Sequence, residues 1–394
     1  MRARDVAAKS VLIAGTALAL AAVPVGAHAV NLKVLYTFTG GSDGYSPRSG
    51  LIRDKAGNLY GTTLEGGAGC CGTVFRLAPD GTETTLYSFQ GGANDGNGPN
   101  WLVVDKAGNL YGTTGAGGGS GCFDETGCGT VFRLRPDGTE TVLYAFTGGS
   151  DGFFPTSLVP GNNGNLYGTT GETGYGGGTI FRIAPDGTQS EVYSFTSGGI
   201  GGPPAPGLIR DSAGNFYGVA EAYGANGYGS VFKVSPHGKQ TVLYAFTGGN
   251  DGGEPMAGLT ADAAGNLYGT TAIGGDENCY PGGCGTVFKL AADGTFTVLY
   301  AFHKADNNAS PRTRLVLDGA GNLYGTTDAF SGGVFRLAPD GTETVLHSFT
   351  DGSDGGLPLG DLIADRKGHL YGTADEGGSG CEGFGCGVVF EIKE

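Results

Sequence analysis

Ala56-Gly57-Asn58-Leu59-Tyr60-Gly61-Thr62-Thr63 is one of seven close copies of a single phrase in this chain. The tyrosines of the seven copies are Tyr60, Tyr111, Tyr167, Tyr217, Tyr268, Tyr324 and Tyr371, at spacings of 51, 56, 50, 51, 56 and 47 residues. A period near fifty marks a repeat architecture, in which each unit buries its apolar faces against its neighbours. Around the phrase, each unit reads as four short β-segments. A Leu-Ile-Arg-Asp type (Leu51–Asp54) comes first, then the phrase itself, then a Val-Phe-Arg-Leu type (Val74–Leu77), and last a Leu-Tyr-Ala-Phe type (Leu143–Phe146). Pro-Asp-Gly-Thr, as at Pro79–Thr82, separates the last two as a hairpin turn, because proline presets φ and glycine accepts the positive φ.

Val74 and Phe75 are both apolar and adjacent, so both faces of the third segment must be covered. Four-stranded sheets packed face to face around an axis meet that demand. The chain ends set the count. Near the N-terminus only a fourth segment stands, Lys33–Phe38, and the C-terminus stops after a third, Val388–Ile392. Pairing these two closes a ring and leaves no exposed edge. The expected fold is an all-β, seven-bladed β-propeller of four-stranded blades, one domain over residues 30–394. Glycine follows the tyrosine in all seven units, Gly61 to Gly372, and is read as a packing glycine that lets a neighbouring backbone approach.

Residues 1–29 read as a cleaved signal peptide. Arg2, Arg4 and Lys9 precede an apolar run, Val11–Val25, and an Ala27-His28-Ala29 cleavage pattern. A secreted or periplasmic, soluble, monomeric product is expected, with no membrane insertion. The formal net charge of −15 argues against nucleic acid as a partner.

The consensus F-T-G-G-x-D-G-x-x-P, D-x-A-G-N-L-Y-G-T-T and G-T-V-F-x-L-x-P-D-G-T-x-T-V-L-Y resembles the Gloeo/Verruco repeat, the "choice-of-anchor tandem repeat" set of exported bacterial proteins. The resemblance covers all seven units and implies export and a propeller-like repeat domain; it implies no particular activity. Many members end in an anchoring tail. This sequence ends at Lys393-Glu394 directly after a strand, so free secretion is expected over tethering.

The loops after the second and fourth strands share one side of a propeller, and most length variation lies there, where binding residues usually sit. Two acidic sets occupy this loop face. Asp43, Asp95, Asp151, Asp251 and Asp354 recur four residues before a proline, with Asp306 shifted in the sixth unit. They read either as caps of their own turns or as a ring of carboxylates for a cation or sugar hydroxyls. Glu65, Glu172, Glu221, Asp328, Asp375 and Glu376 follow the second strands. Aromatics join them, chiefly Phe153, Phe154, Tyr175 and Tyr223, which can stack on sugar rings or pack under their own loops. No calcium-loop spacing occurs, and no metal or cofactor is expected beyond a structural cation.

All eight cysteines fall between second and third strands. Cys122 with Cys128, Cys279 with Cys284 and Cys381 with Cys386 read as local disulfides of an exported protein, with Cys70-Cys71 as a vicinal pair. No G-x-S-x-G, H-E-x-x-H or P-loop occurs, and the histidines occupy unrelated slots. The leading expectation is therefore a non-catalytic binding propeller for a glycan or protein ligand on the acidic loop face. The alternatives are a propeller hydrolase, lyase or lactonase on a carbohydrate-like substrate, and a structural surface-assembly module.

Overall fold

A valine and a phenylalanine side by side in each third strand organise the molecule. In the computed structural model, Val74 turns toward the following sheet and Phe75 toward the preceding one, and both are fully buried. The structure describes residues 30–119, 121–122, 126–172, 177–195, 202–276, 279, 282–303, 309–381 and 383–394. They form seven four-stranded antiparallel sheets arranged in a ring, a seven-bladed β-propeller. Blades 1 to 6 span residues 52–88, 96–145, 153–194, 209–245, 260–301 and 316–348. Blade 7 combines residues 363–393 with the strand Asn31–Thr37, which pairs antiparallel with Val388–Lys393 from Asn31 opposite Lys393 to Thr37 opposite Val388. The ring is thus closed by the two ends of the chain, as the split repeat requires.

The core is seven clusters, each lying between two blades. A phenylalanine closing each fourth strand meets the third-strand phenylalanine of the next blade edge to face. Phe38 on Phe75, Phe89 on Phe132 and Phe349 on Phe390 are three of the seven such pairs, with ring centroids 5.0–5.3 Å apart throughout. Edge-to-face pairs add roughly 0.5–1.5 kcal/mol beyond burial of the rings.

The glycine after each signature tyrosine is a packing residue, approached by backbone, as expected, in two blades and by an aromatic ring in all seven. A Cβ on Gly112 would stand 2.3 Å from Phe132 Cζ, and one on Gly61 2.6 Å from Phe75 Cζ. The ring belongs to the adjacent strand, and the backbone approach is that of a first-strand carbonyl, Ser157 at 2.2 Å from a Cβ on Gly168 and Trp101 at 2.5 Å from one on Gly112. The tyrosine itself ties down the hairpin between first and second strands. Tyr60 and the Asn58 amide both donate to Asp54, and the same set recurs at Asp105, Asp211, Asp262 and Asp318. These hairpins, with the Pro-Asp-Gly-Thr turns, make up the face opposite the long loops.

Blades lock together at the loop face through proline. A Cβ on Gly72, Gly129, Gly178, Gly229, Gly285, Gly332 or Gly387 would lie 2.4–2.7 Å from the Cδ of the next blade's loop proline. The residue before that proline has positive φ in six blades: Ser46, Gly98, Phe154, Glu254, Ser310 and Leu357, at 50–66°. Each donates its N–H to a carbonyl of the preceding blade, as Ser46 does to Cys386. A left-handed residue before proline is disfavoured by about 1–3 kcal/mol, so this contact holds it in place.

Candidate functional site: the loop face and the axial channel

The recurrent aspartates of the loop face bind their own turns. Asp43 accepts from Tyr36 Oη (3.0 Å), the Thr39 N–H (2.8 Å) and Thr39 Oγ1 (2.7 Å). Asp151 repeats the pattern with Tyr144 and Thr147, and Asp251 with Tyr244 and Thr247. Asp95 accepts from Tyr87 and from the Gln90 and Gly96 amides. In blade 6, His347 replaces the tyrosine, and its Nε2 lies 3.0 Å from Asp354. This geometry fits the turn-capping reading. Burial, the Asp43 hydrogen bond and its negative charge together push the Tyr36 hydroxyl far above its ordinary value. Asp306 lies outside the described residues.

The second acidic set has partners that the repeat pattern does not advertise. Asp375 is buried and takes a two-pronged contact from Arg48, through Nε at 3.0 Å and Nη2 at 2.9 Å, as well as the Ser46 hydroxyl. Arg312 Nε lies 2.6 Å from Asp328. Tyr45 donates to Glu65 at 2.5 Å. Two arginines therefore offset part of the negative charge of this face. Burial, helped by Asp375 and Asp351, raises the Glu376 carboxyl. Glu172 ends a strand of blade 3, and Glu221 donates its backbone N–H to Pro203.

The aromatics divide. Phe153 is 4% exposed and packs beneath the loop against Phe146 and Cys128, so it presents no ring to solvent. Phe154, Tyr223, Tyr228, Phe330 and Phe384 are exposed. Phe123, Tyr175 and Tyr280 lie outside the described residues. Tyr223 and Phe330 stand in the same slot, six residues after the signature tyrosine. Blades 1, 2, 5 and 7 fill that slot with Gly66, Gly117, Gly274 and Gly377, at φ of 77–88°. Tyr223 and Phe330 keep the left-handed backbone, at 62° and 57°, with their side chains 54% and 84% exposed. An acid stands two residues earlier in both: Glu221-Ala222-Tyr223 and Asp328-Ala329-Phe330.

The cysteines pair as expected from their spacing. Cys122–Cys128, Cys279–Cys284 and Cys381–Cys386 have Cα atoms 5.1–5.3 Å apart, and the adjacent Cys70 and Cys71 are also joined. Two of these pairs press on a positive-φ glycine of the neighbouring loop. A Cβ on Gly40 would meet Cys381 Sγ at 2.6 Å, and one on Gly148 would meet Cys122 Sγ at 2.4 Å. Blade 4 has no cystine, and the ring of Tyr228 fills the same place over Gly248.

A second concavity lies on the axis. The first strands of blades 1, 2, 3, 4 and 7, with Arg314 of blade 6, line a cavity of about 640 Å³ that extends toward the hairpin turns. One slot of the first strand distinguishes the blades. It holds Gly50, Ser157, Gly207 and Gly258 in four of them, but Trp101, Arg314 and Asp361 in the others. Trp101 Nε1 donates to the Leu158 carbonyl at 3.0 Å, and the Arg314 guanidinium lies 5.8 Å from the indole centroid. Asp361 accepts from the Arg314 N–H at 2.9 Å and sits 3.3 Å from Arg314 Nε. Among the described residues, no group of three His, Cys, Asp or Glu is placed to hold a metal ion.

A model of the Gloeobacter/Verrucomicrobia repeat matches residues 23–175 and 124–332, which together cover more than three quarters of the sequence. The chain belongs to the Gloeobacter/Verrucomicrobia repeat family. No curated protein matches it. Solved structures resemble this member of the family in fold. The extracellular domain of BT4673 from B. thetaiotaomicron aligns with a TM-score of 0.58 at 12% identity, over 90% of this chain and 39% of that one. PorZ, a surface component of the type-IX secretion system of Porphyromonas gingivalis, aligns with a TM-score of 0.54 at 17% identity, over 89% of this chain and 47% of that one. The chain thus spans less than half of either protein. The gluconolactonase XC5397 of Xanthomonas campestris gives a TM-score of 0.45 at 15% identity, over 75% of this chain and 86% of that one.

In this Gloeobacter/Verrucomicrobia repeat protein, the residues that sequence reading missed are Trp101, Arg314, Asp361 and the two arginines of the loop face. Their signal was present. Trp101, Arg314 and Asp361 break the repeat at a slot that the other blades fill with glycine or serine, whereas Arg48 and Arg312 share a slot whose other occupants vary, from Ala205 to Met256, and attention to the shared consensus hides both kinds of departure.

Proposed function

We propose that the chain is an exported, non-catalytic binding propeller that recognises a glycan on its loop face. The observation that carries this reading is the pair Tyr223 and Phe330. Their slot is glycine in four other blades, and an L-residue held left-handed costs about 1–2 kcal/mol relative to the right-handed form. Blades 4 and 6 accept that cost and direct an aromatic side chain outward, with an acid two residues before it. An aromatic face packs on the C–H face of a sugar ring, and a neighbouring carboxylate accepts from its hydroxyls. Strain kept at a position where the fold prefers glycine is the mark of a presenting residue. The apolar leader of residues 1–29, taken as a cleaved export signal, supports a secreted or periplasmic home for the ring of residues 30–394. The extracellular and surface contexts of BT4673 and PorZ agree with that placement.

Glycan-array binding with wild type and with the double variant Tyr223→Gly/Phe330→Gly tests the reading. Glycine suits the slot, so the variant is expected to melt within a few degrees of wild type while its glycan signal disappears. A variant that binds as wild type does, or a wild type that binds no glycan, would sink the proposal.

A further inference from the structure

The axial cavity contains a cation whose partner the repeat has removed. Arg53 and Arg210 occupy the same slot, at the end of the first strands of blades 1 and 4, and both line the cavity. Each lays its guanidinium over the signature tyrosine of the preceding blade, Arg53 over Tyr371 at 5.5 Å and Arg210 over Tyr167 at 5.3 Å. Arg53 Nη2 also lies 3.8 Å from Asp365, the turn aspartate of that preceding blade. In blade 3 the turn aspartate is replaced by Gly161, in the sequence Pro160-Gly161-Asn162-Asn163-Gly164. Arg210 consequently has no carboxylate within ion-pair distance among the described residues, and its Nε is buried without a hydrogen-bond partner. Asp211, next in sequence, is occupied by Asn215 and Tyr217.

The same cavity holds the only tryptophan of the chain, Trp101, beside the Arg314–Asp361 pair. Among the described residues, none of those lining it is acidic, although the chain carries a net charge of −15. Its volume of about 640 Å³ suits a small oligosaccharide. A half-buried arginine without a counter-ion favours a ligand that brings its own negative charge, and a guanidinium takes a carboxylate through two parallel N–H bonds. An indole face takes the apolar side of a sugar ring. We propose that the axial cavity, entered from the hairpin-turn side, binds a carboxylate-bearing saccharide, a uronate unit, with Arg210 receiving the carboxylate and Trp101 the ring. This site is separate from the loop-face reading and does not depend on it.

Because Trp101 is the single tryptophan, tryptophan emission excited selectively over the 18 tyrosines reports on this cavity alone. The oxidised full chain is titrated with trigalacturonate, with neutral maltotriose and with inorganic phosphate, and calorimetry runs in parallel. Trigalacturonate is expected to shift the emission saturably and to bind at least about tenfold more tightly than either control. Added salt should weaken it. Arg210→Gln should lose about tenfold or more in affinity, and Arg210→Lys, which keeps the charge, should recover part of it. Tyr223→Gly/Phe330→Gly should leave this titration unchanged, so failure here and failure of the loop-face reading are distinguishable. The proposal is overturned by an unshifted emission with no heat, by maltotriose or phosphate binding as tightly, or by salt-independent binding. Wild-type affinity in a folded Arg210→Gln also overturns it.

Discussion

A Cβ at position 112 would lie 2.3 Å from Phe132 Cζ and 2.5 Å from the Trp101 carbonyl, so this glycine is fixed by its neighbours rather than by its own backbone angles. The slot was legible because glycine repeats there in all seven units. Its partner was not, since period alone does not say which of two neighbouring strands leans over it. The recurrent aspartates show the same limit. Their spacing marked them, but only the fold places Tyr36 and Thr39 around Asp43. Packing also sets protonation. Burial, and to a smaller extent Asp95, raise the Glu140 carboxyl from 4.5 to about 7. A raised value means that the fold favours the protonated acid. Its contribution is complete below pH 4.5 and is lost as pH rises through 7. Glu140→Gln is therefore expected to match wild type near pH 4 and to exceed it at pH 8. After allowance for its partial exposure, the gain is about 1 kcal/mol. Urea midpoints at the two pH values measure it, and an equal difference at both would refute this account.

At the scale of elements, the hairpin turns and the loop staples divide the work. Burial lifts the Asp105 carboxyl, but hydrogen bonds from the Asn109 side chain and amide and from Ala107 and Tyr111 outweigh it and hold it below its ordinary value. That turn is local chemistry, six residues from Asp105 to Tyr111, and the sequence states it outright. The cystines are local in sequence but act between loops, since the Cys381–Cys386 sulfurs close over Gly40 from the other end of the chain. The two cysteines stand five positions apart. Closing so short a loop restrains little chain entropy, so Cys381→Ser/Cys386→Ser should cost about 2 kcal/mol and leave the far-ultraviolet spectrum unchanged. Loss of the β-signal in the double variant would show that the staple is needed to fold, contrary to this estimate.

For the whole molecule, closure is the decisive interaction. Blade 7 takes its outer strand from Asn31–Thr37, and Phe38 completes the Phe38–Phe75 contact between blades 7 and 1. Deleting residues 30–38 should expose the edge of Val388–Lys393 and one face of blade 1. The expected result is a lower melting temperature and concentration-dependent association through the bare edge. A deletion variant that stays monomeric and melts as wild type does would mean that the ring does not need its clasp. Blade count, the closing pair and the cysteine partners were readable from sequence because each follows from a repeat period or a short spacing. Tyr223 was readable as one loop aromatic among several, but the slot it shares with Phe330, and the cavity of Trp101 and Arg210, were not, because they are departures from the period. By itself the sequence determined a sevenfold ring of four-stranded sheets, since every unit repeats the same apolar pattern on both faces. Only the tertiary structure decided which departures meet in space. Residues in distant blades, such as Trp101 and Arg314, come together only when the ring closes and brings its first strands to one axis.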